Sequence, residues 1–163
     1  MTRVSVAILL SAMAVVGSVA AIHLDTEPLV IYNPSPSVPQ GFYVRLARAP
    51  QAGDFVTIAS VDVAADYTAL RGFADPTDRF IKRIAAVSGQ TVCAEGDSVF
   101  IDGRLAVVRS RRDSGGRLLP AWSGCRTLGT DEVFLLGDTA DSFDGRYWGP
   151  TRLQSISGAW TRF

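Results

Sequence analysis

The chain reads as two stretches with different rhythms. From position 4 to 22 no charged residue interrupts an apolar run, whereas beyond position 41 apolar and polar residues alternate in short bursts broken by glycine, proline and aspartate. Nineteen uncharged positions at 1.5 Å each would make a helix of about 28 Å, close to the thickness of a bilayer's hydrocarbon core. Arg3 precedes the run, and His23, Asp25 and Glu27 follow it. That asymmetry places the N-terminus in the cytoplasm and the body on the far side of the membrane. A cleavable signal peptide is the competing reading, since Ser18-Val19-Ala20 offers small residues for a cleavage site, but the run is long for one. The expectation is therefore a transmembrane helix as a retained anchor over 1–23 and an exported, periplasmic domain over 24–163.

The body predicts a mainly β fold. Strand-like runs cover 42–47, 55–61, 79–87, 91–94, 132–136 and 156–160. A further run, 98–108, contains Asp102-Gly103, a strong two-residue hairpin signal. One helix is expected over 62–71, with Asp62 as N-cap and Gly72 as its stop. The segment 33–41 holds three prolines and is read as extended and turn-rich. The polar, basic stretch 109–116 ends in Gly-Gly and is read as a solvated hairpin loop, with lipid-headgroup contact as a lesser option. Many short strands of this kind close into a β-sandwich or small barrel with one short helix.

Charge and cysteine content narrow the function. Fifteen arginines and one lysine balance sixteen acidic residues, so no nucleic-acid footprint is expected. Cys93 and Cys125 are the only cysteines; in an exported domain the pair reads as a disulfide worth roughly 3–4 kcal/mol in the chain-entropy model. Two cysteines and a distant His23 lack the spacing of a metal site, and neither a metal nor a cofactor is expected.

The candidate chemistry starts from what is missing. With His23 as the only histidine, beside the anchor, a histidine-based triad has no base. Lys82 is the one residue able to replace it, because a desolvated lysine can lose its proton near neutral pH whereas arginine cannot. It sits in the apolar run Phe80-Ile81-Lys82-Arg83-Ile84, with Arg83 on the opposite face of a strand. The bland alternative is a surface lysine whose stem packs on the sheet. Ser37 is the candidate nucleophile, held between prolines, with its own amide and the Ser35 hydroxyl as oxyanion donors worth about 3–4 kcal/mol each. An ordinary linker between anchor and domain is the alternative there. The loop 136–150 gathers Asp138, Ser142, Asp144 and Arg146. It lacks the ligand spacing of a calcium loop, so Asp144 and Arg146 read as a brace for the turn, leaving Ser142 to hydrogen-bond a buried ammonium.

Three segments in order carry a resemblance. Asn33-x-x-x-Ser37-Val38-Pro39-x-Gly41-Phe42-Tyr43, then Lys82-Arg83-Ile84 before a glycine turn, then Gly137-Asp138 leading to Ser142-x-Asp144-x-Arg146-Tyr147-Trp148-Gly149-Pro150, resemble the type I signal peptidase superfamily, most closely its conjugative-transfer (TraF-type) branch. The resemblance implies a membrane-anchored serine endopeptidase with a Ser37/Lys82 dyad and an oxyanion site from Ser35 and Ser37. It further implies that Ser142 orients Lys82 and that Asp144 and Arg146 support the site. The implied partners are the bilayer and an exported, pilin-like precursor with small residues before the cut, whose product some members cyclise. A general signal peptidase and a non-enzymatic pilus or secretion assembly factor of the same fold are the alternatives. The chain departs from the pattern at Ser88-Gly89-Gln90, where Pro-Gly-Asp is common, at Thr139, where asparagine is common, and at Gly145, where serine is common.

Overall fold

A computed structural model describes residues 28–163 except 74 and 76. The expected anchor over 1–23, with His23, lies outside the described residues. Among the described residues no helix is long and apolar enough to cross a membrane.

Eleven strands form two antiparallel sheets. In chain order they are β1 (Val30–Asn33), β2 (Gly41–Leu46), β3 (Phe55–Ala59), β4 (Arg79–Ala86), β5 (Thr91–Glu95), β6 (Ser98–Ile101), β7 (Arg104–Val108), β8 (Gly124–Thr127), β9 (Glu132–Leu136), β10 (Thr151–Arg152) and β11 (Ile156–Arg162). A seven-stranded sheet has the order β1-β2-β11-β3-β4-β9-β10, and a four-stranded sheet the order β7-β6-β5-β8. Helix α1 (Ser60–Leu70) follows β3, and the single turn α2 (Gly145–Trp148) follows β9.

The mainly β expectation holds. Every residue of β9 is buried, because its two faces serve two cores: Phe134 and Leu136 pack with Val92 and Val99 of the smaller sheet, while Val133 and Leu135 pack with Val56, Ile58 and Ile84. A strand covered on both faces reads as an unbroken apolar run rather than an alternation. The Asp102-Gly103 hairpin is also present, both residues having positive φ as a two-residue primed turn requires.

Several boundaries differ from the sequence reading. Helix α1 begins at Ser60, two residues early, with Ala59 as N-cap and no side-chain cap; Asp62 lies in its first turn instead. The Ser60 amide donates to the Asp78 carbonyl and its hydroxyl to the Phe73 carbonyl, so contacts distant in sequence fix where the helix starts. Gly72 does end the helix at φ +63°. Within the segment read as extended and turn-rich, Pro36 and Ser37 occupy a turn. The 109–116 loop is largely solvated, but Arg109 is buried, donating from Nη1 to the Arg146 carbonyl (3.2 Å) and from Nη2 to the Gly96 carbonyl (2.7 Å). Strands β1, β8 and β10 and the turn α2 were not expected. Cys93 and Cys125 face each other across β5 and β8 and form the expected disulfide.

Candidate active site

Three chain segments meet over one face of β4. Lys82 shares that face with Phe80 and Ile84 by strand alternation. Its partner across the ladder is Val56 of β3, and β9 flanks β4 on the other side. The side chain is 3% exposed. Its Nζ donates to Ser37 Oγ at 3.0 Å and to Ser142 Oγ at 3.1 Å, and lies 5.6 Å from the Phe80 ring centroid. Burial pulls the lysine well below its usual range, to about 8; Asp144 opposes that shift and Arg146 reinforces it.

Ser37 is delivered by the β1–β2 connection, and Asn33 organises that connection. Asn33 Nδ2 donates to the carbonyls of Ser35, Val38 and Pro39, while its Oδ1 accepts from the Ser35 amide. Val38 is buried with Tyr43, Ile81 and Trp160, which pins the residue after the serine into the core. The Tyr43 hydroxyl donates to the Pro39 carbonyl at 2.5 Å. The two expected oxyanion donors lie together but are bonded to one another. The Ser37 amide donates to Ser35 Oγ at 3.3 Å, and the Ser35 hydroxyl to Ser37 Oγ at 3.1 Å. An oxyanion that takes both donors would have to displace both contacts.

The third segment is the loop from Gly137 to Arg146. Asp144 and Arg146 are 0% and 1% exposed and pair at 2.8 Å. Asp144 Oδ2 also accepts from the Gly137 amide (2.7 Å), and Arg146 reaches the Thr139 and Ala140 carbonyls. The guanidinium thus serves as the loop's internal scaffold, each of its three nitrogens donating to a carboxylate or carbonyl oxygen of the loop. Both Asp144 oxygens are engaged by N–H donors. The Asp138 amide donates to the Ser37 carbonyl at 2.7 Å, stitching the loop to the serine turn. Gly137 is dictated by crowding: a Cβ there would lie 2.1 Å from Ser142 Oγ and 2.7 Å from the Ser37 carbonyl oxygen.

Every sequence-derived site residue except the cysteines therefore falls in one place. Ser35, Ser37, Lys82 and Ser142 line a cleft of about 590 Å³, with Asp144 and Arg146 behind it. Cys93 and Cys125 sit on the other sheet. Glu95 lies beside them, but their sulfurs are joined to each other, so the trio offers no metal site. Asn33 and Gly137 were quoted in the sequence motif without a role; only the fold reveals which carbonyls and hydroxyls crowd them. The departures also become intelligible. A Cβ at Gly145 would stand 2.6 Å from the Leu135 carbonyl oxygen, so a serine would not fit this backbone. The Ser88-Gly89-Gln90 turn closes without the usual aspartate, because Gln90 Oε1 accepts from the Val87 amide. Thr139 keeps its carbonyl on Arg146, while its hydroxyl is buried without a partner.

The model of one protein family, described as signal peptidase, peptidase S26, matches residues 2–162. The chain belongs to the S26 signal peptidase family, in its TraF-type branch. A "Plasmid transfer protein TraF" of Escherichia coli is 33% identical over 137 residues, 76% of each chain. A "Probable conjugal transfer protein TraF" of Sinorhizobium fredii is 32% identical over 157 residues, covering 90% of this chain and 81% of that one. Among solved structures, a signal peptidase I of Enterococcus faecalis aligns with 70% of this chain and 98% of its own at 22% identity and a TM-score of 0.41.

Proposed function

We propose that this S26 family member is a serine endopeptidase with Ser37 as nucleophile and Lys82 as general base, anchored in the inner membrane by residues 1–23 with its catalytic domain in the periplasm. The observation that carries the reading is the buried Lys82 amine, 3.0 Å from Ser37 Oγ and with no carboxylate among its hydrogen-bond partners. A neutral lysine accepts the Ser37 proton as Oγ attacks the scissile carbonyl. Charge then builds on the carbonyl oxygen, where the Ser37 amide and the Ser35 hydroxyl serve as donors once the amide leaves Ser35 Oγ and the hydroxyl leaves Ser37 Oγ. The lysine ammonium returns the proton to the leaving amine, giving an acyl-enzyme on Ser37. Water, deprotonated by Lys82, completes hydrolysis; the substrate's own amino terminus in place of water would close a ring. Ser142 holds Nζ toward Ser37, and Asp144 with Arg146 braces the loop that carries Ser142 through Gly137 and the Thr139 and Ala140 carbonyls.

The names of the TraF relatives support a role in conjugal plasmid transfer, and the substrate proposed with it is a pilin-like exported precursor cut after small residues. The test is the intact mass of a candidate pilin precursor co-expressed with the wild-type chain or with Lys82→Ala. A product trimmed after a small residue only with wild type is the expected result. A trimmed product one water lighter than the linear chain would add cyclisation. Equal trimming by Lys82→Ala, or normal pilus output from a Ser37→Ala strain, would overturn the peptidase in favour of a scaffold.

A further inference from the structure

The cleft that holds Ser37 and Lys82 has a second, distant cationic feature. Arg71, the C-cap of α1, lines the same cleft. Its Nη1 donates to the Tyr67 hydroxyl at 3.0 Å, and its guanidinium carbon lies 5.8 Å from the Tyr67 ring centroid. Tyr67 is itself fixed, donating to Asp113 Oδ2 at 3.0 Å and packing on Phe143 at 4.2 Å. Asp113 already carries Arg117 at 2.8 Å, so its charge is committed. Asp78 and Asp141 line the cleft too, but among the described residues no carboxylate comes within ion-pair reach of Arg71. Six other arginines, Arg48, Arg83, Arg111, Arg117, Arg126 and Arg146, each pair with a carboxylate. Arg71 is held in place and lacks the anion that its fork of donors would grip.

The separation from the dyad is bounded by a wall of rings. Lys82 Nζ stands 5.6 Å from Phe80, Phe80 stands 6.0 Å from Phe143, and Phe143 abuts Tyr67 under Arg71. An extended peptide rising about 3.3 Å per residue covers that path within about seven residues. We infer that Arg71 is a specificity residue that receives a carboxylate of the bound substrate within about seven residues of the scissile bond. That carboxylate is an acidic side chain or the substrate's chain end. The inference rests on the reading of the cleft as a peptidase site.

The test uses the full chain in detergent and short alanine-rich peptides in which one glutamate is walked along the sequence, each compared with its glutamine twin. A C-terminal acid and amide pair forms a separate arm that distinguishes chain end from side chain. Wild type should favour the carboxylate at one position, or at the chain end, by about tenfold in kcat/KM. Arg71→Gln should bring that ratio to about one, and Arg71→Glu should reverse it toward a lysine-bearing twin, a charge swap that a merely structural residue would not produce. A wild-type ratio near one for every pair, or a ratio unchanged in both variants, would overturn the inference. Binding of the same fluorescent peptides to Ser37→Ala protein separates the two readings. Carboxylate-selective binding without wild-type cleavage keeps the role of Arg71 and removes the peptidase. Cleavage without selectivity does the reverse.

Discussion

The two sheets are held together by different means. The seven-stranded sheet and its loops carry every candidate catalytic group, and they are fixed around those groups by buried polar bonds: Asn33 under the serine turn, and Asp144 with Arg146 under the loop. The four-stranded sheet carries none of them and ties its edge strand β8 to β5 with a disulfide. A covalent tie stabilises chiefly by restricting the unfolded chain and does little to aim a side chain. A buried ion pair is weak evidence of stability for its own sake, yet it fixes geometry because either partner left alone is costly. The cross-link thus lies where only persistence is needed, and the polar scaffold where atoms must be placed.

Removing the lysine amine should have the largest effect on one side of this contrast. Lys82→Ala should lower peptide cleavage by about 10⁴-fold, the upper range for a general base, with the folded CD spectrum retained. Lys82→Arg should fail similarly, since arginine keeps its proton. An active Lys82→Arg protein would dissolve the distinction between the sheets. Next comes Asp144→Ala, which strands the Arg146 guanidinium in a buried site and should cost about 3–5 kcal/mol in denaturant unfolding. A cost below about 1 kcal/mol would mean that the loop does not depend on the pair.

The disulfide supplies the opposing case. Cys93→Ala with Cys125→Ala should cost about 3–4 kcal/mol of stability for a loop of this length, yet leave kcat/KM of the folded fraction within about twofold. A large loss of kcat at a temperature where the protein stays folded would show that the smaller sheet also aims the site. The smallest expected change is at the surface. Arg83 and Asp138 pair at 2.8 Å but are 37% and 34% exposed, so Arg83→Ala should cost less than about 1 kcal/mol.

The acidity of Lys82 sharpens the comparison through pH. With the amine at about 8 in the folded protein, kcat/KM should rise roughly tenfold between pH 7 and 9 and then level. Stability should move in the same direction. Folding opposes the charged amine, so the penalty is carried in full below about pH 8 and relieved as pH climbs toward the ordinary lysine value near 10.4. Replacement by methionine should therefore raise the thermal midpoint at pH 7 by a few degrees while abolishing cleavage.

Much of this site could be read from residue types and order. The absence of a usable histidine left Lys82 as the plausible base and Ser37 as its best partner if the chain uses a serine nucleophile, but a surface lysine and a proline-rich linker stayed the blander readings until the three motifs were taken in order. Burial of Lys82 was suggested by its apolar neighbours Phe80, Ile81 and Ile84, although Ile81 beside it is buried as well and β4 does not alternate strictly there. What the sequence did not disclose depends on contacts made at long range. Nothing local to Ser60 shows that its amide will donate to the Asp78 carbonyl and its hydroxyl to the Phe73 carbonyl, so that the helix starts there and not at Asp62. Arg109 looks like one of several basic loop residues until the Arg146 and Gly96 carbonyls are placed beside it. Strand β8 is exposed along its whole length, so it carries no alternating pattern, and its pairing with β5 fixes it instead. The need for glycine at 137 arises from Ser142 and Ser37, which only the folded chain brings to it.

The most direct test of the central claim uses the chain's single lysine. Lysine labelled with ¹⁵N at Nζ gives one side-chain signal that needs no assignment, and its titration reads the proposed base itself. For the chain 1–163 a Ser37/Lys82 dyad requires a midpoint near pH 8 that shifts when Ser37 is replaced by alanine. A midpoint near 10.4, indifferent to Ser37, would describe an ordinary solvated lysine and contradict the dyad.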